Sequence, residues 1–424
     1  MSCKKNNLNS INKIFLYKCF FMLYTVFLAT EFSRMKSFTL IKVAIFGCGL
    51  IIFFYEVYKT KGQYLMKNRL LLLFMIFNTI TFIINSGKSE NFKFYLITLI
   101  QIFILTSIDE NKNIETIKKE LKKINFIFIV ITLFLTMIGL VMYIFNFQIG
   151  SLFITDPTRT DLIKGIYVIS TSAGLICYLS LAVTIGSLVA ERNKIRNKKA
   201  ILALYMANIL IQGYGLILSG ARGSLISFII FVICLVFLFI LNTKIRVGII
   251  MTLISLVLCS PLYSKYISNI DFLNKDTSGN FFSGRLILWE NGYENSFKNY
   301  KLFGPGPGNM IEVTKSLTDT YLPGIDGGRL HNAYLDVLCS NGILGFLAFI
   351  TFILVLIVLM YKNSFNNMIE KEDRIYIKVI FAFITSILVI NIVESIMIYV
   401  LSTAGAMFWI YIGYGKSFEK NIKD

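Results

Sequence analysis

Long apolar stretches recur along almost the whole chain, and they constrain its fold more than any other feature of the sequence. A helix of about 20 apolar residues is long enough to cross the hydrocarbon core of a bilayer. Within lipid only helices and closed barrels satisfy every backbone hydrogen bond, and the ten-residue alternation typical of barrel strands is not seen in this sequence. We therefore predict an all-α, polytopic membrane protein.

Twelve membrane-spanning helices are predicted from the apolar stretches. They lie at 14–33, 38–57, 70–86, 92–107, 124–148, 165–190, 200–219, 223–241, 247–264, 333–361, 376–393 and 396–414. The first nine spans fall within residues 1–264, a large polar loop occupies 265–332, and the last three spans fall within 333–424. The loop is balanced in charge and holds several aromatic residues, so we expect it to fold as a small cap on the bundle.

The basic residues indicate how the chain is oriented. A net charge of +18 would favour nucleic acid as the partner of a soluble protein, but here the charge follows the short segments between spans. Placing the N-terminus inside puts 26 of the 42 lysines and arginines in inner segments, as the positive-inside rule requires. We therefore predict cytoplasmic termini, an outer loop at 265–332, a place in the bacterial cytoplasmic (inner) membrane, and no nucleic-acid partner.

An arginine lies among small residues where two predicted spans meet on the outer side, in segment 219–224 (SGARGS). A guanidinium at the hydrocarbon boundary is costly unless it faces a wet cavity or an anion. Small neighbours let a bulky head group approach closely. An arginine that merely reaches from a helix end to the interface is the alternative. We interpret Arg222 as a functional residue.

A second arginine opens segment 283–290 (SGRLILWE), which is followed by a glycine- and proline-rich turn at 302–309 (LFGPGPGN). The planar fork of Arg285 suits phosphate oxygens, and the stretch after it is predicted to be a short amphipathic helix. The turn brings backbone N–H groups within reach of a ligand. We therefore regard Gly304, Gly306 and Gly308 as candidate ligand contacts.

The only histidine of the chain, His331, stands at the end of the outer loop, in segment 329–336 (RLHNAYLD). Histidine is the side chain best suited to move a proton near neutral pH. Asn332 is predicted to cap a helix that re-enters the membrane, with Gly342 and Gly345 on one packing face of that helix. His331 would then lie beside a helix start, where anions bind favourably.

These motifs, in this order and with this topology, resemble the O-antigen ligase and polymerase superfamily of WaaL-like and Wzy-like proteins. The resemblance is carried by Ser-Gly-Ala-Arg-Gly at 219–223, by the Gly-Arg…Trp block at 284–289 and by His-Asn-Ala-Tyr-Leu at 331–335. It implies a metal-independent, GT-C-like glycosyltransferase without a cofactor. Its substrates would be a glycan donor linked to undecaprenyl diphosphate and a glycan acceptor, at the outer face of the membrane.

The resemblance also implies roles for individual residues. Arg222 and Arg285 would hold the lipid diphosphate, and His331 would be the catalytic residue that activates the acceptor hydroxyl. The further candidates for substrate binding are Arg329, Arg159, Asn332, Gly304, Gly306 and Gly308. The seven cysteines lie mostly within apolar stretches and predict neither disulfides nor a zinc site, whereas magnesium on Asp319 or Asp326 remains open.

Three functions are compatible with the sequence. The favoured one is a polymerase that joins lipid-linked repeat units into capsular or O-antigen polysaccharide, with membrane lipid and a chain-length regulator as further partners. A ligase that moves the finished glycan to lipid A core or another acceptor is the alternative within the same chemistry. The richness in Lys, Asn, Ile and Phe suits an AT-rich bacterium and favours the polymerase. A flippase for the same lipid would need charges lining a path through the bilayer, and the arginines instead gather on the outer side.

Overall fold

The computed structural model of the protein describes residues 13–85, 89–109, 112–145, 163–240, 285–316 and 329–418, together with 242, 244–246 and 248. Within these residues the chain is helical, and the β-type pairing found there is a single antiparallel bridge between Thr30 and Tyr167. Six of the described helices are long and apolar enough to cross a membrane. The predicted all-α, polytopic membrane fold is therefore confirmed.

The described helices follow the apolar stretches of the sequence. Those before the middle of the chain are α1 (Lys13–Leu28), α2 (Lys36–Lys59), α3 (Gln63–Met66), α4 (Arg69–Ile84), α5 (Ser89–Leu99, continued by a π-helical segment at Ile100–Leu105), α6 (Ile114–Ile144) and α7 (Ser170–Ala190). The others are α8 (Arg192–Ile195), α9 (Lys199–Leu218), α10 (Arg222–Phe239), α11 (Arg285–Asn291, continued by a π-helical segment at Gly292–Phe297), α12 (Met310–Ser316), α13 (Ala333–Phe365), α14 (Lys371–Ile390) and α15 (Thr403–Ser417).

Eleven of the twelve predicted spans contain a described helix, and the ninth, at 247–264, lies outside the described residues apart from Gly248.

Capping residues explain where two of the helices begin. α6 starts before its apolar stretch because Asn113 Oδ1 accepts a hydrogen bond from the N–H of Thr116 at 2.9 Å. α15 starts later than predicted, where Ser402 Oγ accepts a hydrogen bond from the N–H of Gly405 at 2.8 Å.

The centre of the bundle is formed by α7, α14 and α15. Every residue of α15 from Thr403 to Gly415 is buried, whereas α2 buries only Gly49 and Phe53. α7 packs against α6, α9, α10 and α14, and α13 packs against α4 and α14. The apolar side chains of α2 are therefore left to face lipid, and the polar groups of the central helices must find partners within the protein.

A buried polar network joins α6, α7 and α9. The amide nitrogen of Asn208 donates to Ser180 Oγ at 3.0 Å and to Thr184 Oγ1 at 2.7 Å. Gln212 Nε2 donates to Asn208 Oδ1 at 3.2 Å, and Thr136 Oγ1 donates to Gln212 Oε1 at 3.1 Å. Hydrogen bonds between helices fix their pairing in lipid, where burial of apolar side chains gives little specificity.

Replacing Asn208 with leucine is expected to destabilise the protein by about 1–4 kcal/mol, since it removes two bonds between helices worth roughly 0.6–2 kcal/mol each. The reason is that Ser180 and Thr184 lose a partner in a place that water does not reach. Thermal unfolding of the protein in detergent measures the change. The Asn193→Leu variant is the matched control because Asn193 is exposed. Equal melting temperatures for the two variants would contradict a stabilising role of the network.

Ion pairs and hydrogen bonds divide the bundle into two ends. Segments predicted to be inner contact one another through Lys118 and Asp373 (2.6 Å) and through Arg246 and Tyr361 (3.3 Å). At the other end Lys164 and Glu31 pair at 2.6 Å, and the N–H of Val168 donates to the carbonyl of Ala29 at 3.0 Å. Successive segments between helices therefore alternate between the two ends, as the charge pattern predicts. Which end faces the cytoplasm remains a prediction.

α13 is broken near its outer end. Gly342 has a φ of 64° and a ψ of −171°, which are not helical angles. The sequence predicts instead an unbroken helix on which Gly342 and Gly345 share one packing face, and this prediction is wrong. A Cβ on Gly342 would stand 2.4 Å from the carbonyl oxygen of Leu302, so the glycine admits a turn of another segment into the helix.

The turn at 301–306 enters this break. Its carbonyl oxygens at Lys301 and Leu302 accept hydrogen bonds from the N–H groups of Ile343 (2.8 Å) and Leu344 (3.4 Å), which start the inner part of α13. From α4, the hydroxyl of Thr81 donates to the carbonyl of Phe303 at 2.5 Å. The turn thus replaces hydrogen bonds that the broken helix cannot make within itself.

Candidate active site

Five segments that are far apart in the sequence meet at the predicted outer end of the bundle. They are the start of α7, the start of α10, the start of α11, residue 331 just before α13, and residues 390–396 at and after the end of α14. They enclose a cavity of about 410 Å³. Its polar lining includes Arg222, Arg285, His331 and Glu394, and much of the rest is apolar (Ile169, Leu175, Ile226, Ile390, Val393 and Ile396).

The structure thus brings together the three residues that the sequence singled out as catalytic. Arg222 is the first residue of α10, Arg285 is the first residue of α11, and His331 precedes the cap of α13. Because α7 and α10 both begin at the cavity, their N–H groups and dipoles add positive potential to that of the arginines. The cavity is suited to an anion with an apolar chain attached.

Glu394 joins Arg285 to His331. One carboxylate oxygen, Oε1, lies 2.9 Å from Arg285 Nη2, and the other, Oε2, lies 3.3 Å from His331 Nδ1. Arg285 Nη1 also donates to the carbonyl oxygen of Val393. The side chains of Arg285 and Glu394 are each 26% exposed. The pair is therefore fixed in the wall of the cavity but remains accessible to a ligand.

Glu394 is ionised at neutral pH. Burial disfavours its charged form, but the hydrogen bond with His331 and the charge of Arg285 outweigh burial and hold the pKa of Glu394 below its usual value. The contacts therefore stabilise the fold above the usual carboxyl pKa of about 4.3. This stabilisation is lost as the pH falls through the lower pKa of the folded protein.

The charge of Glu394 sets the tautomer of His331. An ionised carboxylate only accepts hydrogen bonds, so the hydrogen atom of neutral His331 is assigned to Nδ1. Nε2 then carries a lone pair that can accept a proton. This is the arrangement in which a carboxylate orients a catalytic base.

The backbone of His331 is held in the left-handed region, with a φ of 51°. This conformation costs a residue other than glycine about 1–3 kcal/mol, and such strain is concentrated at functional sites. Two side chains hold the preceding residue: Trp289 Nε1 donates to the carbonyl of Leu330 at 2.8 Å, and the N–H of Leu330 donates to Asp336 Oδ1 at 3.0 Å. These contacts fix the direction in which the imidazole leaves the chain.

The small residues around Arg222 serve helix packing. A Cβ on Gly174 of α7 would stand 2.3 Å from the Cβ of Ala221 and 2.5 Å from Ser219 Oγ. Gly174 therefore allows the start of α10 to lie directly against α7. The small residues are therefore explained by the close approach of α7 and α10, which places Arg222 at the edge of the cavity. The close approach of a head group to Arg222 stays a prediction.

Other candidates have different surroundings. Arg329 is buried, with its guanidinium 4.2 Å from the ring centre of Phe94 and 5.3 Å from that of Tyr399. Asn332 caps α13, as predicted, by accepting hydrogen bonds from the N–H groups of Tyr334 and Leu335 at 3.1 Å. Neither side chain lines the cavity of His331. Arg159 lies outside the described residues, as do Asp319 and Asp326.

The three glycines of the turn also do not line the cavity. Their N–H groups already donate within the protein: Gly304 to Tyr300 O (3.0 Å), Gly306 to Ser340 O (2.9 Å) and Gly308 to Asn91 Oδ1 (2.6 Å). They are therefore not placed to offer N–H groups to a ligand in this cavity. We assign Gly304, Gly306 and Gly308 to the packing of the turn.

Glu394 is the residue of the cavity that sequence reasoning missed. It lies between two predicted spans that are separated by only two residues, so it looks like an incidental charge at a span end. A carboxylate at such a boundary requires a partner, and that requirement is the signal that could have identified it. Its partners, Arg285 and His331, are 109 and 63 residues away in the chain.

The fold and the cavity define a class: a polytopic α-helical membrane protein with a cationic site at one end. Residues 207–350 match the O-antigen ligase family. This segment contains Arg222, Arg285 and His331, and it spans about a third of the chain. The predicted relationship to the O-antigen ligase and polymerase superfamily is thereby confirmed, and it indicates ligase- or polymerase-type transfer of a lipid-linked glycan. No curated protein sequence matches the chain.

Proposed function

We propose that the protein is a polysaccharide polymerase. It would join oligosaccharide repeat units carried on undecaprenyl diphosphate into capsular or O-antigen polysaccharide at the outer face of the cytoplasmic membrane. The observation that carries this proposal is the single cavity in which Arg222, Arg285 and the pair of His331 and Glu394 meet. Its apolar wall fits the isoprenoid next to the diphosphate.

The arginines would bind the leaving group. When the bond between the sugar C1 and the diphosphate oxygen breaks, negative charge grows on the diphosphate. Guanidinium groups that are already fixed stabilise this charge without having to reorganise. Arg285 is held by Glu394 and by the carbonyl of Val393, so its position is set before the donor arrives.

His331 would act on the acceptor. The acceptor hydroxyl attacks C1 of the donor sugar, its proton passes to Nε2 of His331, and polyprenyl diphosphate leaves. Glu394 would stabilise the imidazolium that forms, because it accepts the hydrogen bond from Nδ1. Bonds and charges balance in this step, and it yields one longer glycan and one free polyprenyl diphosphate.

Single alanine variants of Arg222, Arg285 and His331 in the host test this proposal. We expect each to abolish long glycan chains on a gel of the surface polysaccharide, leaving single repeat units on the surface acceptor. Ligase activity predicts a different result, with long chains retained on the undecaprenyl lipid. The Arg34→Ala variant is a matched control, because Arg34 is an exposed arginine at the same end of the bundle. Normal glycan from all three variants at normal protein level would refute the site.

A further inference from the structure

A second cationic region lies at the opposite, predicted inner end of the bundle. Two adjoining cavities of about 120 and 150 Å³ share Lys67, Asn68 and Lys416 in their walls. Arg69 lines the second cavity. The described residues that line the two cavities include these three basic side chains and no carboxylate.

The start of α4 adds to this positive charge. The second cavity is lined by residues 67–71, which form the first turn of α4 and the residues before it. Asn68 precedes the helix but does not cap it, because its Oδ1 accepts a hydrogen bond from Lys416 Nζ instead. The first N–H groups of a helix have no partner within the helix and favour an anion.

The wall of the first cavity adds a buried polar residue. Ser107 is only 7% exposed and lines this cavity. Its carbonyl oxygen accepts a hydrogen bond from the buried Lys18 Nζ at 2.6 Å. Ser107 therefore belongs to the polar part of the wall, next to the basic residues.

The far wall of the second cavity is apolar. Leu71 on α4 and Phe352, Leu356 and Leu359 on α13 continue from the basic residues towards the middle of the bundle. Lys416 Nζ lies 5.0 Å from the ring centre of Phe352, so cation and apolar wall adjoin directly. The region therefore combines an anion site with an apolar groove between two helices.

We propose that this region binds an anionic phospholipid of the membrane leaflet at that end. Its phosphate would lie among Lys67, Arg69 and Lys416, near Ser107, and one acyl chain would follow the groove between α4 and α13. A basic pocket between transmembrane helices has the chemistry that recognises such head groups. The proposal is independent of the glycosyl transfer assigned to the other end.

Lipid binding to the full-length protein in detergent tests the proposal, with phosphatidylglycerol and phosphatidylcholine as probes and native mass spectrometry as the readout. We expect phosphatidylglycerol, which is anionic, to bind more tightly than phosphatidylcholine, which has no net charge. Each basic residue near a lipid phosphate contributes roughly fivefold in affinity, so the triple variant K67Q/R69Q/K416Q should lose roughly a hundredfold. The matched control R196Q/K198Q/K199Q removes the same charge from exposed residues and should bind as the unaltered protein does.

Equal phosphatidylglycerol binding by the site variant and the control would overturn the proposal. Displacement of the lipid by millimolar inorganic phosphate would also overturn it, because it would identify a site for free phosphate. If the triple variant does not fold, the single variant Lys67→Glu at an exposed position serves instead. A loss of less than threefold in that variant would then count against the site.

Discussion

Replacing His331 with alanine is expected to slow glycan transfer by about 10²–10⁴-fold, the usual contribution of a positioned general base. The loss should appear in kcat, with KM for the lipid-linked donor little changed, because the imidazole acts on the acceptor proton and the arginines bind the diphosphate. Transfer by purified protein from a synthetic polyprenyl-diphosphate glycan measures both constants. Arg285→Ala should lower kcat and, unlike His331→Ala, should also raise KM for the donor.

The Glu394→Gln variant separates catalysis from packing. Glutamine keeps the shape of the side chain but has no negative charge to orient and stabilise His331. We expect kcat to fall, by less than in His331→Ala, and the melting temperature to fall modestly because the ion pair with Arg285 is lost. An unchanged kcat in Glu394→Gln, or a His331→Ala variant that alters only KM, would contradict the assignment of His331 as base.

Replacing Gly304 with alanine is expected to destabilise the outer end of the protein by about 2–6 kcal/mol, from backbone strain of 1–3 kcal/mol and steric overlap of similar size. Gly304 has a φ of 69°, and a Cβ there would stand 2.2 Å from the carbonyl oxygen of Ser340. The turn cannot then remain in the break of α13. Loss of thermal stability and faster proteolysis within residues 285–316 measure this effect.

The Gly47→Ala variant is the control of opposite sign. Gly47 lies within α2, and a Cβ there would meet nothing within 4 Å. Alanine is favoured over glycine inside a helix by about 0.5–1 kcal/mol, so this variant should be slightly stabilised. If Gly304→Ala behaved like Gly47→Ala, the turn would not need to enter the helix.

The helices could be predicted from the sequence because membrane insertion depends on local hydropathy, which the chain displays directly. Arg222 and His331 could be selected because polar groups at or next to span ends stand out against an apolar background, and Arg285 because it opens a motif in the polar loop. Topology predicts only that all three lie on the side opposite to the lysine-rich segments, and the packing of the helices brings them into one cavity. The role that each plays in transfer stays a proposal.

The break at Gly342 and the partners of Glu394 could not be predicted in this way. The break depends on a turn near residue 302 that supplies the missing hydrogen-bond acceptors, and nothing around Gly342 itself differs from a helix with a packing glycine. Glu394 acquires its meaning only from residues far away in the chain. Both features depend on contacts between residues that are far apart in the sequence, whereas the hydropathy of a span depends only on residues adjacent in the sequence.

The break in α13 also bears on how far His331 lies from the core of the bilayer. Residues 343–365 alone form a rod of about 34 Å at 1.5 Å per residue, which is enough to cross the hydrocarbon core. The outer piece, 333–341, is therefore not needed to cross the core, and His331 just before it is expected at the level of the phosphates. An isoprenoid lipid anchored in the membrane carries its diphosphate at the level of the lipid phosphates. The proposed donor would therefore reach His331 while its isoprenoid chain stays in the hydrocarbon core.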